Sequence, residues 1–536
     1  MFEQLLTPVA GDLLQSFLVA SAPIATVLVL MGVIRRPAWE ASIAGLLVGA
    51  ALAIEVWKLP PLLALDSMAA GAVFALWPIM WIVFNALTLF NISVNSGRFE
   101  AFRGWVIKHL PNDRRIVLVV IGFCFGALLE GVAGFGTPVA ITSALLIMTG
   151  FEPLEALTFT LIFNTAPVAF GALGAPVTTL AAVTGLPDTV LGAMIGRQLP
   201  FFALLLPFYV IGVYGGIRSI KALWPALLVA GGSFAVTQFA VSNYLGYVLT
   251  DVLSSLASLI LTTAFLAVWK PKPDPAYALK TQAPEAALQR PGKPAPLWQG
   301  WLPWVVVSAV VIVWTVMKFS LIGQVKVPWP GLDNQVFITL YKKPYAAVWT
   351  FQPLATGTAI LAAAAITAVL VGCGPKGFAA AAAGAWRQMR LAVLTVTAIV
   401  ALAYLMNYSG MNYTLGLGVA SVGVLFPLVS VFLGWAAVFL SGSDTSGNAL
   451  FGSLQVVAAR QLHLNPVLFA AANSSGGVMG KMISPQNIST GVSTTALKGQ
   501  EGKVLARTFK HSIALTLLLG LLVAAQQHLM AWMIPG

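Results

Sequence analysis

Two stretches of this chain resemble each other, and each is a glycine-rich interruption of otherwise apolar sequence. The first covers residues 128–180 and contains LLEGVAGFGTP and FNTAPVAFGALGAPVTT. The second covers residues 440–490 and contains LSGSDTSGNALFG and ANSSGGVMGKMISPQNIS. Three residues recur at one constant offset: Asn164, Gly171 and Pro176 reappear as Asn473, Gly480 and Pro485. Interrupted apolar segments in matching positions of two halves are typical of the binding site of a secondary transporter.

The composition excludes a soluble globular protein. Charged residues make up 9% of the chain and apolar residues 59%, whereas a soluble domain carries about 25% charged residues. Because apolar runs long enough to cross a bilayer recur throughout, we expect an all-α polytopic membrane protein with about 12–16 membrane elements. The two cysteines and four histidines show no metal-ligand spacing, so no metal and no cofactor are predicted. We interpret the net charge of +12 as topology charges rather than a nucleic-acid surface.

The distribution of basic residues predicts the orientation and the domain boundaries. The N-terminus holds Glu3 and Asp12 but no basic residue, so we place it on the periplasmic side. The proline-rich segment 270–300 is predicted to be a cytoplasmic linker between a membrane half at 1–269 and a second half at 301–536. Residues 323–347 fall outside in this scheme although they contain Lys326, Lys342 and Lys343, and we expect them to form a folded cap. The alternative is that these lysines weakly concentrate anions.

Charge counting also predicts that the two repeats run in opposite directions. Arg115 lies inside, so the helix that leads into the first repeat starts from the cytoplasm. The segment 391–410 carries the chain outward, so the matching helix of the second repeat starts from the outside. The expected fold is therefore an inverted repeat with broken or re-entrant helices.

Broken helices at membrane depth suit the binding of a small anion. Unpaired backbone groups persist there only around a cavity or inside protein, and the N-termini of half-helices favour carboxylates. The breaks also supply hydroxyl and amide groups, which we predict to contact substrate: Asn164, Thr137, Ser441, Thr445, Ser446, Asn448, Asn473, Ser474, Ser475, Gln486 and Asn487. The alternative is that the small residues serve only close helix packing.

Four ionisable residues lie in or beside the breaks, where a charge is a functional candidate by default. Arg197 and Lys481 are predicted to bind the substrate carboxylate, and Asp444 and Glu130 to couple protons. The alternative is an internal ion pair between one of the cations and Asp444 or Glu130. Both interpretations hold if protonation of a carboxylate releases its cation for an anionic ligand.

Four motifs along the chain resemble the signatures of the L-lactate permease family, which also contains glycolate permeases: GVAGFGTPVAI (131–141), IGRQLPF (195–201), SGSDTSGNALFG (441–452) and GKMISPQNIS (480–489). The resemblance implies a proton-coupled symporter of small 2-hydroxymonocarboxylates in the bacterial inner membrane. It also implies an architecture similar to the ion-transporter superfamily, whose members often move substrate by an elevator-like motion. Carried over motif by motif, the resemblance implies functional roles for Glu130, Arg197, Asp444, Lys481 and Asn487.

Three other functions remain open from the residues alone. A sodium-coupled carboxylate or dicarboxylate transporter could use the same broken backbone to coordinate Na⁺. A membrane enzyme would need a nucleophile–base pair or a metal cluster. No histidine lies within the glycine-rich motifs themselves, and His463, which lies between two of them, has no partner motif. A channel would not accumulate its substrate against a gradient. The expected partners are therefore a small monocarboxylate, protons and the lipid bilayer, without nucleic acid and with an oligomeric state left open.

Overall fold

The computed structural model of the chain is mainly helical. It describes residues 1–132, 137–279, 296–493, 495, 497 and 500–535, the side chains of Ile107, Thr137 and Ser493 excepted. The α-helices in chain order are α1 (Leu13–Gly32), α2 (Ala38–Glu55), α3 (Pro61–Phe74), α4 (Trp81–Asn95), α5 (Arg98–Lys108), α6 (Arg114–Val117), α7 (Gly126–Val132), α8 (Thr137–Met148), α9 (Pro153–Phe163), α10 (Gly171–Thr184), α11 (Asp188–Ile195), α12 (Leu199–Ala240), α13 (Thr250–Val268), α14 (Leu302–Val316), α15 (Thr356–Leu370), α16 (Pro375–Ser409), α17 (Met411–Ala420), α18 (Phe426–Ser441), α19 (Asp444–Gln461), α20 (Pro466–Lys481), α21 (Pro485–Ser493) and α22 (Glu501–His528).

Ten helical segments of the described chain are long and apolar enough to cross a membrane. One bent helix pair and two shorter apolar helices bring the membrane elements into the predicted range. The segment from Asp188 to Leu245 has 58 residues. At 1.5 Å per residue it would be about 87 Å long, far more than one crossing needs. A break at Gly216, whose φ is +68°, divides it.

Residues at the N-terminus and in the segment 325–351 form one folded cap. Strand β1 (Phe2–Glu3) pairs with β3 (Val336–Ile338), which pairs with β4 (Lys343–Pro344). Strands β2 (Val325–Pro328) and β5 (Val348–Phe351) form a second, antiparallel pair. The expected cap is therefore present, and the strands of the described chain are confined to it. We call this side of the molecule the cap face.

The opposite side carries the beginning of α6 and both ends of the predicted linker. Arg114 donates through Nη2 to the carbonyl oxygen of Ala276 at 2.9 Å. Arg98 donates to the side chain of Gln299, at the far end of the linker, at 3.0 Å. Residues 280–295 lie outside the described residues, so the linker prediction is described only at its ends. We call this side the linker face.

The first repeat enters from the linker face. The chain rises through α6 and α7 and comes back through α8, because Arg114 at the start of α6 donates to the carbonyl of Gly150, just after α8. This pair of helices is therefore a re-entrant hairpin. Helix α9 then starts again from the linker face. After a break, α10 ends at the cap face, where the carbonyl of Val183 accepts from Asn407, whose own carbonyl accepts from Gln4 in the cap.

The second repeat has the opposite direction. Helices α18 and α19 are joined by a tight turn at Gly442 and Ser443, and α19 ends at the cap face, where the guanidinium of Arg460 lies over the ring of Tyr341. Helices α20 and α21 then run to the linker face, because Arg507 in the following helix lies 4.0 Å from Glu155 at the start of α9. The opposite directions of the two repeats, predicted from charge counting, are confirmed, as are the broken and re-entrant helices predicted from the glycine-rich motifs.

The breaks themselves are shorter than the sequence suggested. Most of SGSDTSGNALFG belongs to α19, and ANSSGGVMG lies inside α20. Apart from the turn 462–465 between these two helices, only Gly442–Ser443 and 482–484 lie outside the helices of the second repeat. In the first repeat, Ala172, Leu173 and Gly174 all have positive φ. Residues 133–136 of the predicted break GVAGFG lie outside the described residues. Glycines within α20 serve helix contact instead, since an added Cβ at Gly476 would meet the carbonyl of Val431 on α18.

Candidate functional site

The breaks of the two repeats meet around one small cavity. Its lining combines both hairpin regions and both broken spans: Glu130, Val168, Gly171, Ala172, Pro176, Gly442, Ser443, Asp444, Thr445, Lys481 and Gln486. Its volume of about 30 Å³ holds roughly two water molecules. An organic acid does not fit into this space as it stands, so its entry requires the surrounding segments to move.

Lys481 and Glu130 form a buried ion pair between the two repeats. Lys481 is the last residue of α20, and its Nζ lies 2.6 Å from Oε1 of Glu130 on α7, with both side chains less than a tenth exposed. Asn164, at the end of α9, donates to the other oxygen of Glu130 at 3.0 Å. A buried pair of this kind is stable only while both partners remain, because removing one leaves an uncompensated charge. The predicted internal ion pair is thus present in this conformation.

Asp444 occupies the first turn of α19, at the tip of the second hairpin. Its Oδ2 accepts from the hydroxyl of Ser474 at 2.5 Å and from the amide of Asn448 at 3.3 Å. Its Oδ1 is buried and has no hydrogen-bond partner among the described residues. A buried acceptor left without a donor is costly, so a proton or a donor group of a ligand that reaches this oxygen is stabilised there.

A network of amides ties the second hairpin to the first repeat. Asn448 donates to the carbonyl of Pro176 at 3.2 Å, and Asn473 donates to Asn448 at 3.0 Å. Asn487 donates to the carbonyls of Gly442 at 3.2 Å and Lys481 at 3.4 Å. These amides fix the hairpin tip against the ends of α10 and α20, so they position the charged residues.

Three helix N-termini point at the cavity. Asp444 and Thr445 begin α19, Gln486 lies in the first turn of α21, and Pro176 lies in the first turn of the regular part of α10. Helix N-termini present unpaired N–H groups and a partial positive charge, which favour a carboxylate. At Gly442, whose φ is +71°, an added Cβ would lie 2.7 Å from the side-chain oxygen of Gln486, so the tip requires glycine.

Other predicted site residues lie beside the cavity without lining it. Ser441 donates to the carbonyl of Ser443, and the backbone N–H of Ser446 donates to the hydroxyl of Ser443, which caps α19. Ser475 donates to Gln198 at 2.7 Å. The side chain of Thr137 lies outside the described part of the structure.

Arg197 lies elsewhere in this conformation. Its guanidinium donates to the side chain of Asn243 at 2.7 Å and to the carbonyl of Met533 at 2.8 Å. It therefore joins the C-terminal segment to the end of α12 and is not among the residues that line the cavity. The structure brings together Lys481, Glu130 and Asp444, but not the second predicted cation.

The structure adds Asp251, which sequence reasoning missed. It lies in the first turn of α13, is fully buried, and has no hydrogen-bond partner on either carboxylate oxygen among the described residues. An added Cβ at Gly131, next to Glu130, would lie 2.9 Å from its Cβ. The signal in the sequence was an acidic residue near the start of a predicted membrane helix. Asp251 lies outside both repeats in the sequence, however, so nothing linked it to the site. No group of three or more metal-ligating side chains occurs in the described residues.

Comparison with known proteins gives the family. The family model described as L-lactate permease matches residues 16–530. The chain is 41% identical to "Glycolate permease GlcA" of Escherichia coli (strain K12), over 98% of both chains. It is 40% identical to "L-lactate permease" of Bacillus subtilis (strain 168), over 99% of both.

Among solved structures, the chain is similar to MtrF of Neisseria gonorrhoeae, a member of "a class of antimetabolite efflux pumps". The alignment covers 94% of this chain and 98% of MtrF, with a TM-score of 0.51 and 14% identity. At that identity the likeness concerns the fold alone, which is the polytopic helical fold of a transporter. The full-length matches at about 40% identity carry the assignment: the chain belongs to the L-lactate permease family.

Proposed function

We propose that this protein takes up small 2-hydroxymonocarboxylates, such as L-lactate, D-lactate or glycolate, together with protons across the bacterial inner membrane. The names of its relatives support the substrate class. The cap face, which carries the N-terminus, is the periplasmic side in this proposal, and the linker face is cytoplasmic. The halves 1–269 and 301–536 each contribute one repeat to a shared site.

The charge balance around the cavity carries the proposal of proton coupling. Lys481 is the cation that lines the cavity in the described structure, whereas Glu130 and Asp444 line it as carboxylates and Asp251 lies next to Gly131. A substrate anion would add one more negative charge to a buried site that already has more carboxylates than cations. Because such a charge in a low-dielectric interior is costly, at least one carboxylate must take up a proton as the anion binds.

The sequence of events follows from the ion pair. In the described conformation Lys481 is held by Glu130 at 2.6 Å. A proton that enters from the periplasmic side and binds a site carboxylate weakens this ion pair, and the ammonium group of Lys481 then donates to the substrate carboxylate. The neutral assembly crosses by movement of the broken segments. Release of the substrate on the cytoplasmic side lets Lys481 and Glu130 pair again, and the proton leaves.

The other polar groups of the site position the substrate. We propose that Thr445 and Gln486, which line the cavity, contact the substrate hydroxyl or carboxylate directly. Asn164, Asn448, Asn473, Ser474 and Asn487 hold the charged side chains in place through the bonds described above. Five residues do not line the cavity in this conformation and remain predicted substrate ligands, which would become accessible only when the segments move: Thr137, Ser441, Ser446, Ser475 and Arg197.

Uptake by reconstituted vesicles tests the proposal. The full-length protein is placed in liposomes that are more acidic outside than inside, and the accumulation of radiolabelled L-lactate is followed. We expect accumulation above the external concentration, its collapse with a proton ionophore, and competition by glycolate but not by succinate.

Sodium provides the discriminating control. Removal of sodium should leave the accumulation unchanged under the same pH gradient. Loss of accumulation only when sodium is removed would favour a sodium-coupled carboxylate transporter instead. Equilibration without accumulation would contradict symport and favour a channel.

A further inference from the structure

A second and much larger cavity lies at the cap face, away from the site described above. Its volume is about 440 Å³, which is within the range of small-molecule sites. It lies between the cap and the ends of α10, α16, α17 and α19. The residues that line it include two tryptophans, five tyrosines and two basic residues: Trp329, Trp349, Tyr341, Tyr345, Tyr404, Tyr408, Tyr413, Lys343 and Arg460.

The charged side chains that line this cavity are positive, and the nearby carboxylate of Asp333 accepts from the backbone N–H of Ala347. Arg460 and Lys343 line it, and no carboxylate is among its lining residues in the described chain. Arg460 lies over the ring of Tyr341, with its guanidinium carbon 5.2 Å from the ring centre. A cation–π contact orients the guanidinium while leaving its N–H donors available.

The tyrosine hydroxyls of the cavity are unused. Tyr341, Tyr345, Tyr404, Tyr408 and Tyr413 make no side-chain hydrogen bond to another described residue, and the hydroxyl of Tyr341 is buried. Burial raises the pKa of Tyr345 to about 12, so its hydroxyl stays protonated. The hydroxyl of Tyr341 is buried without a partner among the described residues, which is unusual for a buried polar group. The other four hydroxyls make no side-chain hydrogen bond to a described residue, so they can donate to a polar ligand in the cavity.

Two helices extend from the candidate functional site to this cavity. Helices α10 and α19 both begin at the small cavity near Lys481 and end at the cap-face cavity. Helix α19 has 18 residues, which is about 27 Å of helix. Between the two cavities the helices are in close contact, since an added Cβ at Gly452 would lie 2.6 Å from Leu180 and 3.2 Å from Val183. The two spaces are thus separate in this conformation.

We propose that the cap-face cavity is a second binding site for a small carboxylate, formed by Arg460, Lys343 and the tyrosine hydroxyls. The chemical class of the ligand follows from the charges and donors, and its identity as a 2-hydroxymonocarboxylate rests on the proposed function. An anion held here is at the periplasmic mouth of the route along α10 and α19. The site captures substrate before the closed contact at Gly452 opens.

Binding stoichiometry tests this proposal on the purified full-length protein. Equilibrium binding of radiolabelled L-lactate should give two sites per chain. The variant Lys481→Gln should retain one, and Arg460→Gln combined with Lys343→Gln should also retain one. The matched control is Lys326→Gln with Lys342→Gln, which removes two cap lysines that do not line the cavity and should leave both sites.

A second variant tests the ligand contacts even if the variant with Arg460→Gln and Lys343→Gln does not fold. Tyr341→Phe with Tyr345→Phe keeps the ring shapes and the contact with Arg460. Loss of two hydrogen bonds to a carboxylate should weaken the second site about tenfold or more. An unchanged affinity in this variant would contradict the proposed ligand contacts.

The outcomes separate this inference from the proposed function. If Lys481→Gln binds no lactate, the cap-face site is refuted while the transport site stands. If Lys481→Gln still binds two molecules per chain and transports normally, Lys481 is not a substrate ligand, and the second bound molecule supports the cap-face site. The second site is also refuted if the unchanged protein binds one molecule per chain and the variant with Arg460→Gln and Lys343→Gln still binds one.

Discussion

At the scale of single residues, the proposed function depends on one lysine that joins the two repeats. Lys481 comes from α20 of the second repeat and Glu130 from α7 of the first, and each side chain is almost completely buried. Neither could be stable as an unpaired charge in this environment. The pair is therefore a structural contact, and in the proposed mechanism it is also the contact that an incoming acid anion opens.

Replacing Lys481 should separate these two roles. In Lys481→Ala, Glu130 loses its partner, and we expect a destabilisation of about 3–5 kcal/mol together with loss of lactate uptake. In Lys481→Met with Glu130→Gln, the buried charges are both removed, so thermal stability should largely return while uptake remains absent. Thermal unfolding and vesicle uptake measure the two effects. Recovery of uptake in the double variant would contradict a role for Lys481 in substrate binding.

Replacing Asp444 should abolish the coupling of lactate uptake to protons. Asp444→Asn keeps the bonds to Ser474 and Asn448 possible but cannot take up a proton. We expect it to lose accumulation driven by a pH gradient and to retain exchange of internal for external lactate. Asp188→Asn, a change at the start of α11 that does not touch the cavity, is the control and should accumulate normally.

Asp251 provides an independent test of the charge-balance argument. Its side chain is fully buried and its oxygens have no partner among the described residues. We expect Asp251→Asn to fold about as stably as the unchanged protein, because an amide of nearly the same shape replaces a buried carboxyl group that has no partner among the described residues. The pH dependence of uptake should change, and an identical pH profile would show that Asp251 takes no part in coupling.

At the scale of secondary-structure elements, the glycine-rich motifs have two different uses. Gly442 permits the tight tip between α18 and α19. Gly476 and Gly480 instead let α20 approach the backbone of α18, where an added Cβ would meet the carbonyls of Val431 and Trp435. Small residues at helix contacts are a recurrent feature of membrane proteins.

A pair of glycine-to-alanine substitutions tests the packing interpretation. Gly476→Ala should destabilise the protein by about 1–3 kcal/mol, because the methyl group has no space against α18. Gly502→Ala, in α22, adds a methyl group where nothing lies within 4 Å and should have little effect or stabilise slightly. The comparison of their unfolding temperatures in the same detergent measures the difference.

The sequence could predict the elements that depend on local chemistry. The duplicated Asn164 and Asn473, the half-helices at Pro176 and Pro485, and the inversion of the repeats all followed from spacing and charge. It could not predict that α20 continues past Asn473 to Lys481, because glycine permits both a break and a close helix contact. Nor could it predict Asp251 or the cap-face cavity, which depend on contacts between distant parts of the chain.

At the scale of the whole molecule, the inverted repeat places equivalent turns on opposite faces. Glu152 lies between α8 and α9 at the linker face, and His463 lies at the equivalent turn between α19 and α20 at the cap face. Both side chains are exposed. This arrangement is what allows two re-entrant hairpins to meet from opposite sides of one bilayer.

Labelling of these two turns should therefore be opposite. In a background with Cys124→Ser and Cys373→Ser, we introduce Glu152→Cys or His463→Cys. A membrane-impermeant maleimide should label the His463→Cys variant in intact spheroplasts and the Glu152→Cys variant only in inverted vesicles. Labelling of both from the same side would contradict the inverted repeat.

The most direct test of the whole account is a cryo-EM structure of the protein with L-lactate bound. We predict the lactate carboxylate within hydrogen-bonding distance of Nζ of Lys481, between the hairpin tip at Gly442 and the break at Gly171–Pro176, with the contact between Lys481 and Glu130 opened. Lactate found only elsewhere, with Lys481 still paired to Glu130, would contradict the claim that the two inverted breaks form the transport site.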